Sequence, residues 1–207
     1  MKGPSGYWTV PRLWPEGECF IIGGGPSLRG FDIKRLRGKR IIAVNNAYRM
    51  ADWIDCLFFG DCRWYNMHAK QLLSFAGLKV TTCEQHLDKP GIKVVKRQNK
   101  IRGLSTSPSI LAWNLSSGAC AIGLAYHFGV KRIILLGFDM RVVEGRYNYH
   151  DDYDPPANPK GKNPYPRFLR PFPDIAHSLK QKNIECFNAC LDSALDVFPK
   201  VALEDLI

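Results

Sequence analysis

Short, continuously apolar runs recur along the chain, and most end abruptly in glycine, asparagine or serine. Residues 19–22 run straight into Gly23-Gly24-Gly25-Pro26-Ser27-Leu28, and residues 40–44 end at Asn45-Asn46. Residues 56–59 end at Gly60-Asp61, and residues 131–136 end at Gly137-Phe138-Asp139. Runs this short, bounded by turn residues, read as buried strands. Weaker patterns of the same kind cover 79–82, 93–96 and 184–187. Between them the pattern predicts helices over 63–75, with Gly77 as its C-terminal cap, and over 119–128, opened by Ser116-Ser117-Gly118 and closed by Gly129. Further helices are expected over 172–182 and 192–198.

Strands that are apolar throughout and alternate with helices imply an α/β fold with a mostly parallel sheet covered by helices on both faces. Residues 1–18, rich in Pro, Gly and Trp, read as an N-terminal arm. Residues 19–207 then form one Rossmann-like domain, a size that buries a full core. Residues 141–170 are polar and rich in Pro, Asn and Tyr, and a loop of about 30 residues without its own structure is commonly functional. It is read as a lid.

Ligands of such sheets bind beyond the carboxyl ends of the strands, so the residues just after each run carry the candidate chemistry. Gly23, Gly24 and Gly25 allow a close backbone approach to a phosphate or ribose, and Ser27 suits the start of the next helix. The turn is not a dinucleotide fingerprint, because Leu28 stands where its third glycine belongs and Asn45-Asn46 replace the ribose-binding acid. No phosphate-binding G-x-x-x-x-G-K-[ST] loop occurs. Asn45 and Asn46 offer paired donors and acceptors to a base or sugar, or serve as ordinary turn residues. Ser116, Ser117 and Gly118 suit an anion at a helix start, or a plain cap. Asp139 would hold a ribose, a metal or a sugar, or cap neighbouring backbone groups. In the long loop, Tyr147, Asn148, Tyr149, His150, Asp151, Asp152, Tyr153 and Asp154 gather one imidazole, three carboxylates and three phenols. His150 is the candidate general base, with Asp151 or Asp152 beside it, and the carboxylates are also oxygen ligands for Mg²⁺.

Four motifs in this order, Ile21 to Leu28, Val44-Asn45-Asn46, Ser116-Ser117-Gly118 with its small-residue helix, and Leu135 to Asp139, give the chain a family resemblance. It resembles the bacterial sialyltransferases that cap lipooligosaccharide, and a superfamily rich in phage and prophage proteins that includes archaeal 6-hydroxymethylpterin diphosphokinases. The resemblance implies donor-nucleotide contacts at Gly23, Gly24 and Gly25, and cytidine or sugar contacts at Asn45 and Asn46. It also implies nucleotide and donor contacts at Ser116, Ser117 and Gly118, and a phosphate contact at Tyr147. An asparagine of the family falls at Gly60, beside Asp61, and an arginine at Asn114. The family's catalytic histidine falls near Pro166, where this chain has none, leaving His150 earlier in the loop.

The function expected from this is transfer of a sugar from a CMP- or UDP-linked donor to an acceptor hydroxyl. Asp139, His150 and Asp151 are the candidate catalytic residues, and Asp61 joins the donor-binding set. The alternatives are a Mg²⁺-dependent diphosphokinase using Asp61, Asp139 and Asp151, and a nucleotide- or nucleic-acid-binding protein without catalysis. A net charge of +10 adds an anionic partner to the picture, since the excess falls into three clusters: Arg29 to Arg40, Lys93 to Arg102, and Lys160, Lys162, Arg167 and Arg170. The third shares the lid loop, which suggests a polyanionic acceptor, a glycolipid or modified DNA. Seven scattered cysteines without a CxxC pair suggest a reduced, cytoplasmic protein, located in the bacterial host if phage encoded. No leader-like N-terminus or membrane-length apolar run is seen.

Overall fold

A computed structural model describes residues 6–151 and 163–207. Asp152, Tyr153, Asp154, Lys160 and Lys162, named above, lie outside the described residues. The strands in chain order are β1 (Glu18–Ile22), β2 (Ile41–Val44), β3 (Cys56–Phe59), β4 (Leu78–Thr81), β5 (Ile92–Val94), β6 (Lys96–Gln98), β7 (Ile110–Ala112), β8 (Arg132–Leu136) and β9 (Glu185–Asn188). The helices are α1 (Cys62–His68), α2 (Ser117–Phe128), α3 (Tyr165–Leu169) and α4 (Phe172–Gln181). Seven strands form one parallel sheet in the order β5-β4-β3-β2-β1-β8-β9, while β6 and β7 pair separately.

The continuous apolar runs are explained by this sheet, because each strand is buried on both sides. Ile21 pairs in register with Ile42 and Leu135, and all three face one core with α2 and α4. Phe20, Ile41 and Ile134 face the other. That second face is covered by α1 and by short 3₁₀ turns at Pro26–Leu28, Ile33–Leu36, Asn45–Met50, Gln71–Leu73 and Leu203–Asp205. Of the arm, Trp8, Val10 and Trp14 are buried, and Trp14 meets Phe128 edge-on with ring centroids 4.6 Å apart.

Several elements differ from the sequence expectation. The helix expected over 63–75 ends at His68, and its remainder is the 3₁₀ turn Gln71–Leu73. Gly77 does not cap it; a Cβ there would collide with the Ile54 and Asp55 carbonyls. Residues 192–198 form no helix. The Ser193 hydroxyl instead donates to Phe138 O (2.6 Å) and accepts from Leu195 N (2.9 Å), a local competition that serine offers against helix. The 141–170 stretch contains α3, and β6 and β7 were not foreseen. Cys62 and Cys83 form a disulfide, against the expectation of a reduced chain. They follow β3 and β4, which lie side by side, so the sheet itself brings their Cα atoms to 5.8 Å. No helix among the described residues is long and apolar enough to cross a membrane.

Candidate functional site

The chain winds outward from β1 to β5, then returns to place β8 on the other side of β1. The carboxyl ends of β1 and β8 therefore mark the switch point, where such sheets open a crevice. Here the glycine turn is stitched to β8: Gly23 N–H donates to Leu136 O and Gly25 N–H to Gly137 O, both at 2.8 Å. A Cβ on Gly25 would overlap the Asp139 carboxylate and come 2.6 Å from Gly137 O. Glycine is required at Gly25 for this approach, not for its backbone angles (φ −68°).

Asp139 is only 2% exposed, and both its oxygens face Ser27. Oδ1 accepts the Ser27 N–H (2.9 Å) and Oδ2 the Ser27 hydroxyl (2.8 Å). A buried carboxylate needs such partners. Of the two readings offered by the sequence, this geometry is the capping one, and it holds the turn against β8. Asp61 likewise caps α1, accepting from Arg63 N (2.8 Å) and pairing with its guanidinium (3.3 Å). Asp151 pairs with Arg146 (2.6 Å) on the surface. Asp61, Asp139 and Asp151 bring no three ligand atoms within 4.8 Å of one another among the described residues.

Around Asn46 the structure does bring predicted residues together. Trp64 Nε1–H on α1 donates to Asn46 Oδ1 (2.6 Å), and Asn46 Nδ2 faces His150 Nδ1 (3.5 Å). Tyr149 N–H donates to Gly24 O and Tyr149 O–H to Asn46 O, both at 3.1 Å. Asn148 Oδ1 lies 3.2 Å from where a Gly24 Cβ would stand. The segment leading to His150 is thus folded back over the glycine turn and the end of β2. Tyr147 stacks on Tyr165, whose hydroxyl donates to Tyr147 O (2.6 Å). Burial, with Asp139 and Tyr147 nearby, pushes the Tyr165 phenol up to about 12. Neither Trp64 nor Tyr165 was foreseen as part of this site, since each acts through a partner distant in sequence.

The start of α2 forms the adjoining wall. Ser116 Oγ accepts from Ala119 N (3.2 Å), while Ser117 Oγ and the Trp113 ring close on Gly60, leaving no room for a Cβ there. Gly118 admits the Phe138 ring. Three non-glycine residues with left-handed backbone adjoin predicted site residues: Asn45 (φ 51°) beside Asn46, Leu115 (φ 60°) beside Ser116, and Met140 (φ 50°) beside Asp139. Such strain costs on the order of 1 kcal/mol or more per residue and clusters at functional sites. Asn45 Oδ1 is also buried with no hydrogen-bond partner among the described residues. A cavity of about 200 Å³ behind the turn is lined by Ser27, Leu28, Gly137 and Leu203, and by none of Asn46, Tyr147 or Ser116.

No protein-family model matches the chain, and no curated protein matches its sequence. Solved structures match its fold. The sialyltransferase CstII from Campylobacter jejuni, in complex with the substrate analogue cytidine-5'-monophosphate, aligns with TM-score 0.57 at 16% identity, over 91% of this chain and 86% of that one. The monofunctional alpha-2,3-sialyltransferase Cst-I from the same organism gives 0.58 at 18%, over 88% and 79%. The MAf glycosyltransferase from Magnetospirillum magneticum AMB-1 gives 0.66 at 15%, over 97% of this chain and 36% of that one, so this chain spans about a third of its length. At these identities the likeness is one of fold alone.

Proposed function

We propose that the chain is a glycosyltransferase-like enzyme that moves a sugar from a CMP- or UDP-linked donor to an acceptor hydroxyl. The observation that carries this is the convergence of Gly24, Asn46, Tyr149 and His150 at the switch point of the sheet. Residues separated by about a hundred positions meet there, in a fold whose solved relatives include a complex with cytidine-5'-monophosphate. In this reading the donor nucleotide lies over Gly23, Gly24, Gly25 and Ser27, with Asn45 and Asn46 at its base or sugar. Its phosphate is met by the start of α2 at Ser116, Ser117 and Gly118 and by Tyr147. The 141–170 loop serves as a lid.

His150 is the proton carrier of the proposed reaction. Trp64 is a donor only, so Asn46 must turn its Oδ1 to it and its Nδ2 to His150. An imidazole that accepts at Nδ1 carries its proton on Nε2 and can only hydrogen-bond the departing phosphate with it. In the Nδ1–H tautomer Nε2 takes the acceptor hydroxyl's proton as that oxygen bonds to the anomeric carbon and the phosphate leaves with the glycosidic electron pair. Deprotonating the acceptor from Nε2 needs the other tautomer, which gives up the Asn46 contact. Asn46 and Trp64 are then positioning residues, and Asp139 positions the glycine turn. Help concentrated on the phosphate as charge develops there is what accelerates the step beyond mere binding.

The test combines a thermal-shift screen of CMP, UDP, GDP and ADP derivatives with donor hydrolysis. A cognate nucleotide at a hundredfold excess over Kd stabilises by about 2.7 kcal/mol and raises Tm. His150→Ala should keep that shift yet lose hydrolysis by about a hundredfold. Full activity in His150→Ala would overturn its role, and a flat screen would overturn the nucleotide-donor reading.

A further inference from the structure

Away from the glycine turn, β3 and β4 run side by side, with Phe59 opposite Thr81. The residues that follow them therefore emerge together. Cys62 opens α1, and Cys83 precedes the 3₁₀ turn Glu84–His86. Side chains three apart eclipse on a 3₁₀ turn, so His86 stands over Cys83. One ligand atom from each of Cys62, Cys83 and His86 lies within 4.8 Å of the others. His86 is 2% exposed, and neither ring nitrogen has a hydrogen-bond partner among the described residues. The Tyr65 ring lies against it at 4.2 Å and Phe59 at 6.0 Å, so its immediate surroundings include two aromatic walls. Burying both nitrogens of an imidazole unpaired is costly, and such a group calls for an explanation.

We propose that the reduced chain binds one thiophilic divalent cation with the chemistry of Zn²⁺, through Cys62 Sγ, Cys83 Sγ and one His86 ring nitrogen, and that the Cys62–Cys83 disulfide is the metal-free form. A dithiol reductant supplies the two electrons and two protons that convert the disulfide to two thiols, and is itself oxidised to a disulfide. Metal binding then releases those two protons as the thiols become thiolates, while His86 binds neutral. Two thiolates cancel the cation's charge, which suits a largely buried site. Tetrahedral zinc with Zn–S near 2.3 Å sets the sulfurs ~3.8 Å apart, within reach of side-chain rotation from Cα atoms 5.8 Å apart. Two sulfurs and an imidazole select zinc over magnesium. Cys62 is the partly exposed member, so the fourth position opens on its side, to water. The proposal does not depend on the function proposed above.

The test uses the full-length untagged chain, reduced with a phosphine and freed of it, then titrated with Co²⁺ and displaced by Zn²⁺. One equivalent of Co²⁺ should give thiolate-to-metal charge transfer and tetrahedral d–d bands, and the oxidised chain should give neither. Zn²⁺ should protect Cys62 and Cys83 from alkylation, read by peptide mass mapping, which separates them from the five buried free cysteines. His86→Ala should weaken Co²⁺ binding by about tenfold or more, since even outer partners of a ligand have effects of that size. Should that variant fail to fold, the alkylation pattern of the native chain decides alone. A reduced chain without charge transfer, or with Cys62 and Cys83 alkylated equally with and without Zn²⁺, overturns the proposal.

Discussion

Trp64 decides which way Asn46 faces. Its indole N–H can only donate, so the 2.6 Å contact commits Asn46 Oδ1 and leaves Nδ2 for His150. The Asn46 carbonyl takes the Tyr149 hydroxyl as well, so one residue links α1 to the segment that carries His150. Its position after a strand made Asn46 visible in the sequence as a polar group at the sheet's end. The bracket it forms was not visible, because Trp64 lies 18 residues away and His150 lies 104. Trp64→Phe keeps much of the apolar area and removes the donor. It should cost about 1–3 kcal/mol in urea unfolding, because buried Asn46 Oδ1 loses its partner. With the amide free to turn, donor-hydrolysis kcat should fall about tenfold with KM little changed, the signature of lost orientation. An unchanged kcat alongside the stability loss would show that Trp64 matters for packing alone.

At the scale of elements, the sheet and the helices α2 and α4 over its first face were legible, and the covering of the second face was not. Runs buried on both faces have one appearance in sequence, and β1, β2, β3, β8 and β9 fall within a residue or two of the expected positions. The 3₁₀ turns over the second face lack the 3.6-residue period that marks a helix, which is why the helix expected over 63–75 stops at His68. The junction of the glycine turn with β8 depends on a fit that no local pattern encodes, since Ser27 and Asp139 lie 112 residues apart. That fit is testable by a pair of neighbours. Gly25→Ala forces its methyl into the Asp139 carboxylate and should cost roughly 2–3 kcal/mol, lowering Tm by roughly 5–10 °C. Gly24→Ala meets only Asn148 Oδ1, at 3.2 Å, a side chain with freedom to give way, and should lose less than half as much in the same melts. Equal losses would mean that the turn is held by something other than its approach to Asp139.

Across the whole molecule, basic residues that contribute to the +10 charge lie at both ends of the sheet's strands. Lys39 and Arg40 precede β2, so they lie at the amino ends of the strands, where they pair with Glu18 and Asp55. Arg132 at the start of β8 joins Glu18 there at 2.8 Å. This part of the first cluster is paired with carboxylates at the end of the sheet opposite the crevice. Arg97 of cluster two borders the crevice instead: it lies 5.0 Å over the Trp113 ring, which closes on Gly60 after β3, beside the start of α2. Arg167 on α3 lies two residues after Tyr165, which holds Tyr147. With a polyanionic acceptor, KM should rise steeply with salt, with a slope of about 0.9 for each phosphate contacted. Replacing exposed Lys96 and Lys100 together by glutamine should raise acceptor KM several-fold and reduce that slope by up to about two. The same change at Lys39 and Arg40 should leave both unaltered, because those cations lie at the wrong end. Equal turnover of a neutral sugar acceptor at low and high salt would remove the polyanion and leave cluster two as a solvated rim.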